Sequence, residues 1–373
     1  MKLAAFEKTY GDFYVPTFVV KVGGEDLVRD LFLAVTKVEV DLKEKVAGRF
    51  SFSVGSAFDW EAREFVAGRG EQRVDLIDLF SFGDPIEVSI GYGEPARLKP
   101  MLSGIITELG TSFSEGGTPE LTVSGYDGLY AMSTGKATRR WETATDSDAV
   151  SAIAAKNKLS AKVTSTKPIR ERIDQNAQSD LAFIEQLAGR NGMTFYVRGK
   201  TLYFGPRNND KSDVVELAWG EGLSSFSPTA NLAKQLTEVQ VRGWSAAKGG
   251  AVVGRARRGE ESGHEGGRKS GGERTATAFA TAFGKQPVYT VRAAVRDQAD
   301  ADARARAILE ERAQDFVTGE GKCIGLPAIM PDVNVALTGL GRAFSKTYYV
   351  KGAVHTLDGS GYSTRFQVEE TVL

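Results

Sequence analysis

The feature that most constrains this chain is a period of two. From Thr17 to about Val123, β-branched and aromatic residues alternate with polar ones in short runs closed by Gly, Asp and Pro. Side chains two apart share a face in a strand but scatter around the axis of a helix, so this text can bury one apolar face only as a sheet. Phe18-Val19-Val20-Lys21-Val22 closes on Gly23-Gly24, and runs from Leu33 to Leu42 and from Arg49 to Val54 follow. Pro85-Ile86-Glu87-Val88-Ser89-Ile90 sets Ile86, Val88 and Ile90 on one side, a half-buried strand. Gly104 to Leu109 and Glu120 to Val123 complete an antiparallel region around the turn-rich Ser114 to Pro119. A short helix is expected near Asp59 to Val66, and many short strands with such turns favour a barrel or sandwich.

After Ser124 the period changes. Thr145 with Asp148 reads as a capping box, and Val150, Ile153 and Ala154 mark one side of a helix ending near Asn157. A second helix starts near Ser179-Asp180, shows Leu181, Ile184, Leu187 and Ala188 on one face, and stops at Asn191-Gly192. Gly199-Lys200 between two apolar runs is a tight hairpin signal. Strand text returns from Val214 and runs through Leu236 to Gly243. From Ala246 to Thr275 glycine and charge dominate, which predicts a mobile loop. A helix over 297–316 and strands from Ala328 to Val372 finish the chain. Asp84 to Gly93 and Asp332 to Gly341 echo one another, but their apolar positions are one residue out of phase, which would reverse the faces unless a bulge or deletion intervenes. The expected fold is α+β, mainly β, and the echo permits two related, tube-like β-barrel domains (1–128 and 214–373) flanking a small α+β domain (129–213). The last domain carries the loop 246–275 and the helix 297–316.

With 373 residues, 41% of them hydrophobic, the chain can bury several cores. Lys and Arg number 47 against 48 Asp and Glu, so the overall balance predicts neither an anionic membrane surface nor nucleic acid as partner. The basic residues Arg255, Arg257, Arg258, Arg268, Lys269 and Arg274 are interrupted by Glu260, Glu261, Glu265 and Glu273 without aromatic interleaving, and no specific nucleic-acid binding is expected. Glu7 precedes any apolar run long enough for a signal peptide, and no stretch approaches the roughly 18 apolar residues of a membrane span. Synthesis in the cytoplasm is expected. The single cysteine, Cys323, has no intrachain partner and reads as a small buried apolar residue.

The usual catalytic constellations are missing from the text. Of two histidines, His264 precedes Glu265-Gly266-Gly267, which lacks the second histidine of a zinc-protease helix, and His355 sits in apolar strand text as a structural residue. Gly263 to Ser270 places Arg268 where a phosphate loop needs glycine, and Gly339-Leu340-Gly341 lies in strand text rather than at a strand-to-helix turn. No Gly-x-Ser-x-Gly elbow occurs. A carboxylate pair for glycan cleavage is a matter of three-dimensional separation, so a hydrolase stays open at this point. No catalytic, cofactor-binding or metal-ligating residue and no cofactor is assigned, and the chain is expected not to be an enzyme.

Three blocks carry a family likeness. Phe82-Gly83-Asp84 to Tyr92 with Leu102 to Thr107 and Leu121 to Asp127, then Gln175-Asn176-Ala177-Gln178-Ser179-Asp180-Leu181 to Ala188, then Met330-Pro331-Asp332 through Gly341, Tyr348-Tyr349-Val350, His355 and Gly361 to Thr364 resemble the late control D or baseplate hub proteins of contractile phage tails. Those proteins are related to the N-terminal hub part of type VI secretion VgrG spikes. The resemblance implies a homotrimer in which each subunit supplies two barrels, giving pseudo-six-fold symmetry that joins a hexameric tail tube to a trimeric central spike. It further implies as partners a spike protein on a separate chain, the tail tube or a tube-initiator ring, and baseplate wedge proteins, with no membrane. A tail-associated cell-wall hydrolase, or an adaptor holding lumenal cargo through the segment around Gly249 to Gly272, are the competing readings.

Overall fold

The computed structural model describes Phe6, Phe13 and residues 15–69, 72–208, 214–245, 249–262 and 267–373. The alternating text folds as strands β1 (Pro16–Val22), β2 (Glu25–Asp26), β3 (Val35–Lys43), β4 (Arg49–Val54), β5 (Phe58–Asp59), β6 (Glu64–Arg69), β7 (Gln72–Asp75), β8 (Pro85–Tyr92), β9 (Leu102–Ser112) and β10 (Glu120–Asp127), with the one-turn helix α1 (Leu76–Leu79) before β8. Six of them lie in the order β1-β8-β9-β10-β4-β3, and β2 adds to the edge of β1. Their inward residues, among them Val20, Val38, Val40, Phe50, Phe52, Val88, Ile106 and Val123, share one core. Burial of that apolar area is what makes the alternation stable as a sheet.

The helix expected near Asp59 to Val66 is instead a hairpin. Asp59 Oδ1 accepts the Glu61 and Ala62 backbone N–H groups at 2.8 and 3.0 Å, and Arg63 takes a left-handed φ of 61°. The turn brings β5 against β6 with Phe58 opposite Phe65, so a cross-strand aromatic pair and an Asp-seeded turn outweigh the helical reading.

The α+β unit comprises α2 (Gly128–Ser133), β11 (Ala137–Ala144), α3 (Asp146–Lys156), β12 (Ser160–Val163), β13 (Arg170–Gln178), α4 (Asp180–Asn191), β14 (Thr194–Arg198) and β15 (Thr201–Gly205). The Thr145 and Asp148 box caps α3, Ser179 Oγ accepts from Ala182 N, and Gly192 ends α4 at φ 64°. Ile153, Phe183, Ile184, Leu187, Phe195 and Phe204 form a separate core.

The last third holds β16 (Val214–Trp219), β17 (Gly222–Ala230), β18 (Glu238–Ser245), β19 (Gly250–Arg257), α5 (Gly271–Phe283), β20 (Val288–Arg292), α6 (Gln298–Gln314), β21 (Val317–Ile324), β22 (Val333–Thr338), α7 (Gly341–Phe344), β23 (Lys346–Asp358) and β24 (Gly361–Glu370). Strands β23, β22, β16, β17, β21 and β24 close on themselves, because β24 pairs with both β21 and β23. The chain is thus α+β and mainly β, with a closed six-stranded barrel around Leu217, Val335, Leu337, Tyr348, Val350 and Phe366. The two echoing strands each face inward on their own phase, Ile86, Val88 and Ile90 in β8 but Val335 and Leu337 in β22. Asp332, at φ 67°, turns the chain just before β22.

The expected mobile loop 246–275 is largely ordered structure. Residues 246–248 and 263–266, with His264, lie outside the described residues, but β19 and the start of α5 fall within the segment. Gly254 and Gly271 serve close packing. A Cβ on Gly254 would stand 2.1 Å from the Ala301 carbonyl carbon, and one on Gly271 would stand 2.3 Å from the Gln235 side chain. These strands belong to an insertion between β17 and β21, with sheet order β19-β18-β20 and α6 packed on one face through Val239, Val241, Ala301, Ala305 and Leu309. The helix expected over 297–316 is α6, with Asp297 as its N-cap accepting from Asp300 N at 2.9 Å.

The long strand β23 joins the two six-stranded units. Its first half pairs with β22, from Leu337 opposite Lys346 to Val333 opposite Val350, and its second half pairs with β3, from Gly352 opposite Lys43 to Leu357 opposite Val38. The register against β24 shifts between Val350 and Gly352, so a bulge at Lys351 marks the crossing from one unit to the other.

Candidate functional site

The bulge at Lys351 sits among buried charges. Glu44 follows β3 and is 1% exposed, Glu369 on β24 is 4% exposed, and Arg207 follows β15. The Arg207 guanidinium donates to Glu369 Oε2 at 2.8 Å and to Glu44 Oε1, and it stacks 4.6 Å over the Tyr349 ring. Tyr349 Oη, with one proton to give, lies 3.0 Å from Glu44 Oε2 and 3.2 Å from Asp332 Oδ1, and Tyr196 Oη donates to Asp332 Oδ2 at 3.1 Å. Thr194 Oγ1 donates to the second oxygen of Glu44, and Lys351 Nζ to Glu369 Oε1. First six-stranded unit, α+β unit and barrel therefore meet in one hydrogen-bonded network.

The electrostatics follow from burial against pairing. Burial by itself would lower the Arg207 pKa, but the carboxylates of Glu44 and Glu369 outweigh it and hold the guanidinium above its ordinary value. Burial, then the Glu44 charge, pushes the Tyr349 phenol well up, and burial with Asp332 does the same to Tyr196. Burial raises Asp332 despite the hydrogen bonds it accepts from Asn208 N, Tyr196 and Tyr349. A hydrogen-bonded network of this kind holds the elements that meet in it in register.

A second tie joins the α+β unit to the insertion. Arg190 Nε donates to Asp146 Oδ2 at 2.8 Å, and Arg170 bridges Asp146 at 3.4 Å to Asp300 at 3.3 Å. Asp146 opens α3 and Asp300 lies in the first turn of α6, where the helix dipole adds to the arginines in favouring a carboxylate.

Single residues singled out in the sequence are placed as follows. His355 is fully buried, with Nε2 2.9 Å from Ile329 O and Nδ1 2.9 Å from Tyr362 Oη, and burial pushes its pKa down to about 4. Cys323 is buried in the barrel core, and burial raises its thiol. Gly339 and Gly341 flank the turn from β22 to α7. A cavity of about 530 Å³ between the first unit and the α+β unit is lined by Lys21, Glu87, Asp127, Lys158 and Lys200. It holds two carboxylates, but Asp127 Oδ1 caps α2 by accepting from Leu129 N at 2.9 Å, and Glu87 pairs with Lys200 at 3.6 Å. Burial pushes the Asp127 carboxyl up to about 7. Among the described residues no three His, Cys, Asp or Glu side chains are placed to hold a metal ion, and no helix is long and apolar enough to cross a membrane.

The network residues Glu44, Arg207 and Glu369 carry no mark in the sequence. Glu44 stands between Lys43 and Lys45, Glu369 beside Glu370 and Arg207 just after β15, each near a strand end, and only the meeting of three units pairs them.

Residues 65–359, from β6 through β23, match the family model of the Alg8 N-terminal domain. The chain belongs to that family. No curated protein matches it in sequence. Among solved structures, the tail protein from Neisseria meningitidis MC58 is similar with a TM-score of 0.69 at 16% identity, covering 96% of this chain and 97% of that one. The 43 kDa tail protein of prophage MuSo2 from Shewanella oneidensis has a TM-score of 0.67 at 13% identity, covering 95% and 98%. The E. coli c3393 protein, described as a component of the type VI secretion system with structural similarity to the T4 bacteriophage tail proteins gp27 and gp5, has a TM-score of 0.55 at 12% identity, covering 94% and 76%. At these identities the shared property is the fold.

Proposed function

We propose that this chain is a structural component of a phage tail or phage-like injection particle and, more finely, its baseplate hub of the late control D kind, without catalytic activity. The observation that carries the reading is the pair of six-stranded units sewn together by β23 and clamped by Arg207 between Glu44 and Glu369. A subunit that holds two similar units in fixed relation can present six of them when three copies close a ring, which reconciles a six-fold tube with a three-fold spike. Likeness in fold to the two tail proteins over nearly their whole length supports this. The proposal takes 1–128, 129–213 and 214–373 as working units and a homotrimer as the assembled state. Its partners are the tail tube or initiator ring, baseplate wedge proteins and a separate spike protein, with assembly into the particle after cytoplasmic synthesis.

Native mass measurement of the purified chain, alone and with its spike partner, tests the reading. A species of three copies is expected, and monomers under every condition would sink it.

A further inference from the structure

The insertion leaves one sheet face bare. While α6 packs with Val239 and Val241 of β18, and Val295 lies against Gly243, the opposite side carries Glu238, Gln240, Arg242 and Trp244. Pairing aligns these with Arg257, Arg255, Val253 and Ala251 of β19, and with Val288, Thr290 and Arg292 of β20. Glu238 is the one acidic residue within β18, β19 and β20. It is engaged by Arg257 at 3.5 Å and by Gln240 Nε2 at 2.7 Å. Arg242, Arg255 and Arg292 are exposed, and none forms an ion pair with a carboxylate among the described residues. Trp244 is 63% exposed one row beyond Arg242.

Two details point to an anionic occupant. Arg242 and Arg292 are register partners on the parallel strands β18 and β20, and like charges on adjacent strands repel unless a counter-charge bridges them. Arg255 is the diagonal neighbour of Arg242, at a distance on the order of 7–8 Å, so one arginine stands on each of the three strands, with Trp244 one row further along β18. Topology also removes the glutamates that interrupt the basic residues in sequence. Glu260 and Glu261 lie beyond the end of β19, Glu261 is buried and accepts from Gly259 N, and Glu273 belongs to the capping box of α5.

We propose that this face is a binding platform for single-stranded nucleic acid, without sequence preference: Arg242, Arg255 and Arg292 take successive phosphates and Trp244 stacks on a base. A flat sheet with one exposed aromatic ring beside a cationic row suits unpaired bases, which offer both a charged backbone and an open π-face. A duplex hides its bases, and an acidic polypeptide offers charge without a stacking surface.

Fluorescence anisotropy of the full chain with a labelled mixed-sequence 12-mer tests this, alongside the matching duplex and polyglutamate. The single strand is expected to bind tightest, and its affinity should fall roughly tenfold or more between 50 and 200 mM salt, in line with about three phosphate contacts. Trp244→Ala and the triple replacement R242A/R255A/R292A should each weaken binding by about tenfold or more, with far-ultraviolet circular dichroism unchanged. Binding of duplex or polyglutamate as tight as that of the single strand overturns the proposal. So do retention of affinity in folded variants and absence of binding at low salt.

Discussion

Asp127 shows how one position can serve two ends. Its carboxyl caps α2, a role any short polar acceptor fills, yet it is 4% exposed and its pKa is raised from 3.8 to about 7 by burial. The folded state therefore favours the neutral acid. Its contribution to stability is fully present below about pH 4 and is lost as pH rises through about 7, where folding must bury a carboxylate. Asp127→Asn keeps the cap and removes the ionisation. Thermal unfolding at a series of pH values should show the variant close to the parent at pH 4 and more stable at pH 8; parallel curves would refute the assignment. Arg207 poses the opposite problem, a cation whose loss strands two buried carboxylates. Arg207→Met should cost about 3–5 kcal/mol in urea unfolding. Adding Glu44→Gln and Glu369→Gln should recover part of that loss, because the penalty lies in the unpaired charges rather than in the missing contact.

At the scale of elements, helix signals were the most legible part of the text. Thr145 with Asp148, Ser179 and Gly192 place the ends of α3 and α4 because a cap is a local hydrogen bond between residues close in the chain. The segment 246–275 misled for a related reason. Glycine and charge there resemble a solvated loop, and what distinguishes Gly254 is a helix more than forty residues further along the chain. Gly254→Val puts a branched side chain where the Ala301 backbone stands 2.1 Å from the Cβ site, so α6 must lift from β18 and β19. The expected loss is about 1–3 kcal/mol, with faster amide exchange confined to the insertion. Exchange unchanged in β18 and α6 would show that the glycine merely tolerates the contact. The hairpin at Phe58 to Phe65 likewise turned on a pairing that helical periodicity could imitate over so short a run.

The whole molecule behaves as two β units bridged by one strand, with the α+β unit and the insertion tied to each other by Asp146, Arg170, Arg190 and Asp300. If the chain works as a hub, the β23 joint must resist rotation between the units when three copies close, and the Arg207 network lies where such rotation would act. The sequence by itself determined the mainly β class, the α+β middle, the capped ends of α3 and α4 and the inward phase of β8. Those properties depend on residues within a turn or two of one another and on which face is apolar. Tertiary structure alone decided the closure of the barrel around Leu217 and Val350, the insertion, the pairing of Glu44 with Arg207 and Glu369, and the gathering of Arg242, Arg255, Arg292 and Trp244 on one face. Each of these joins residues far apart in the chain, and a one-dimensional pattern carries no term for which distant strand becomes the neighbour.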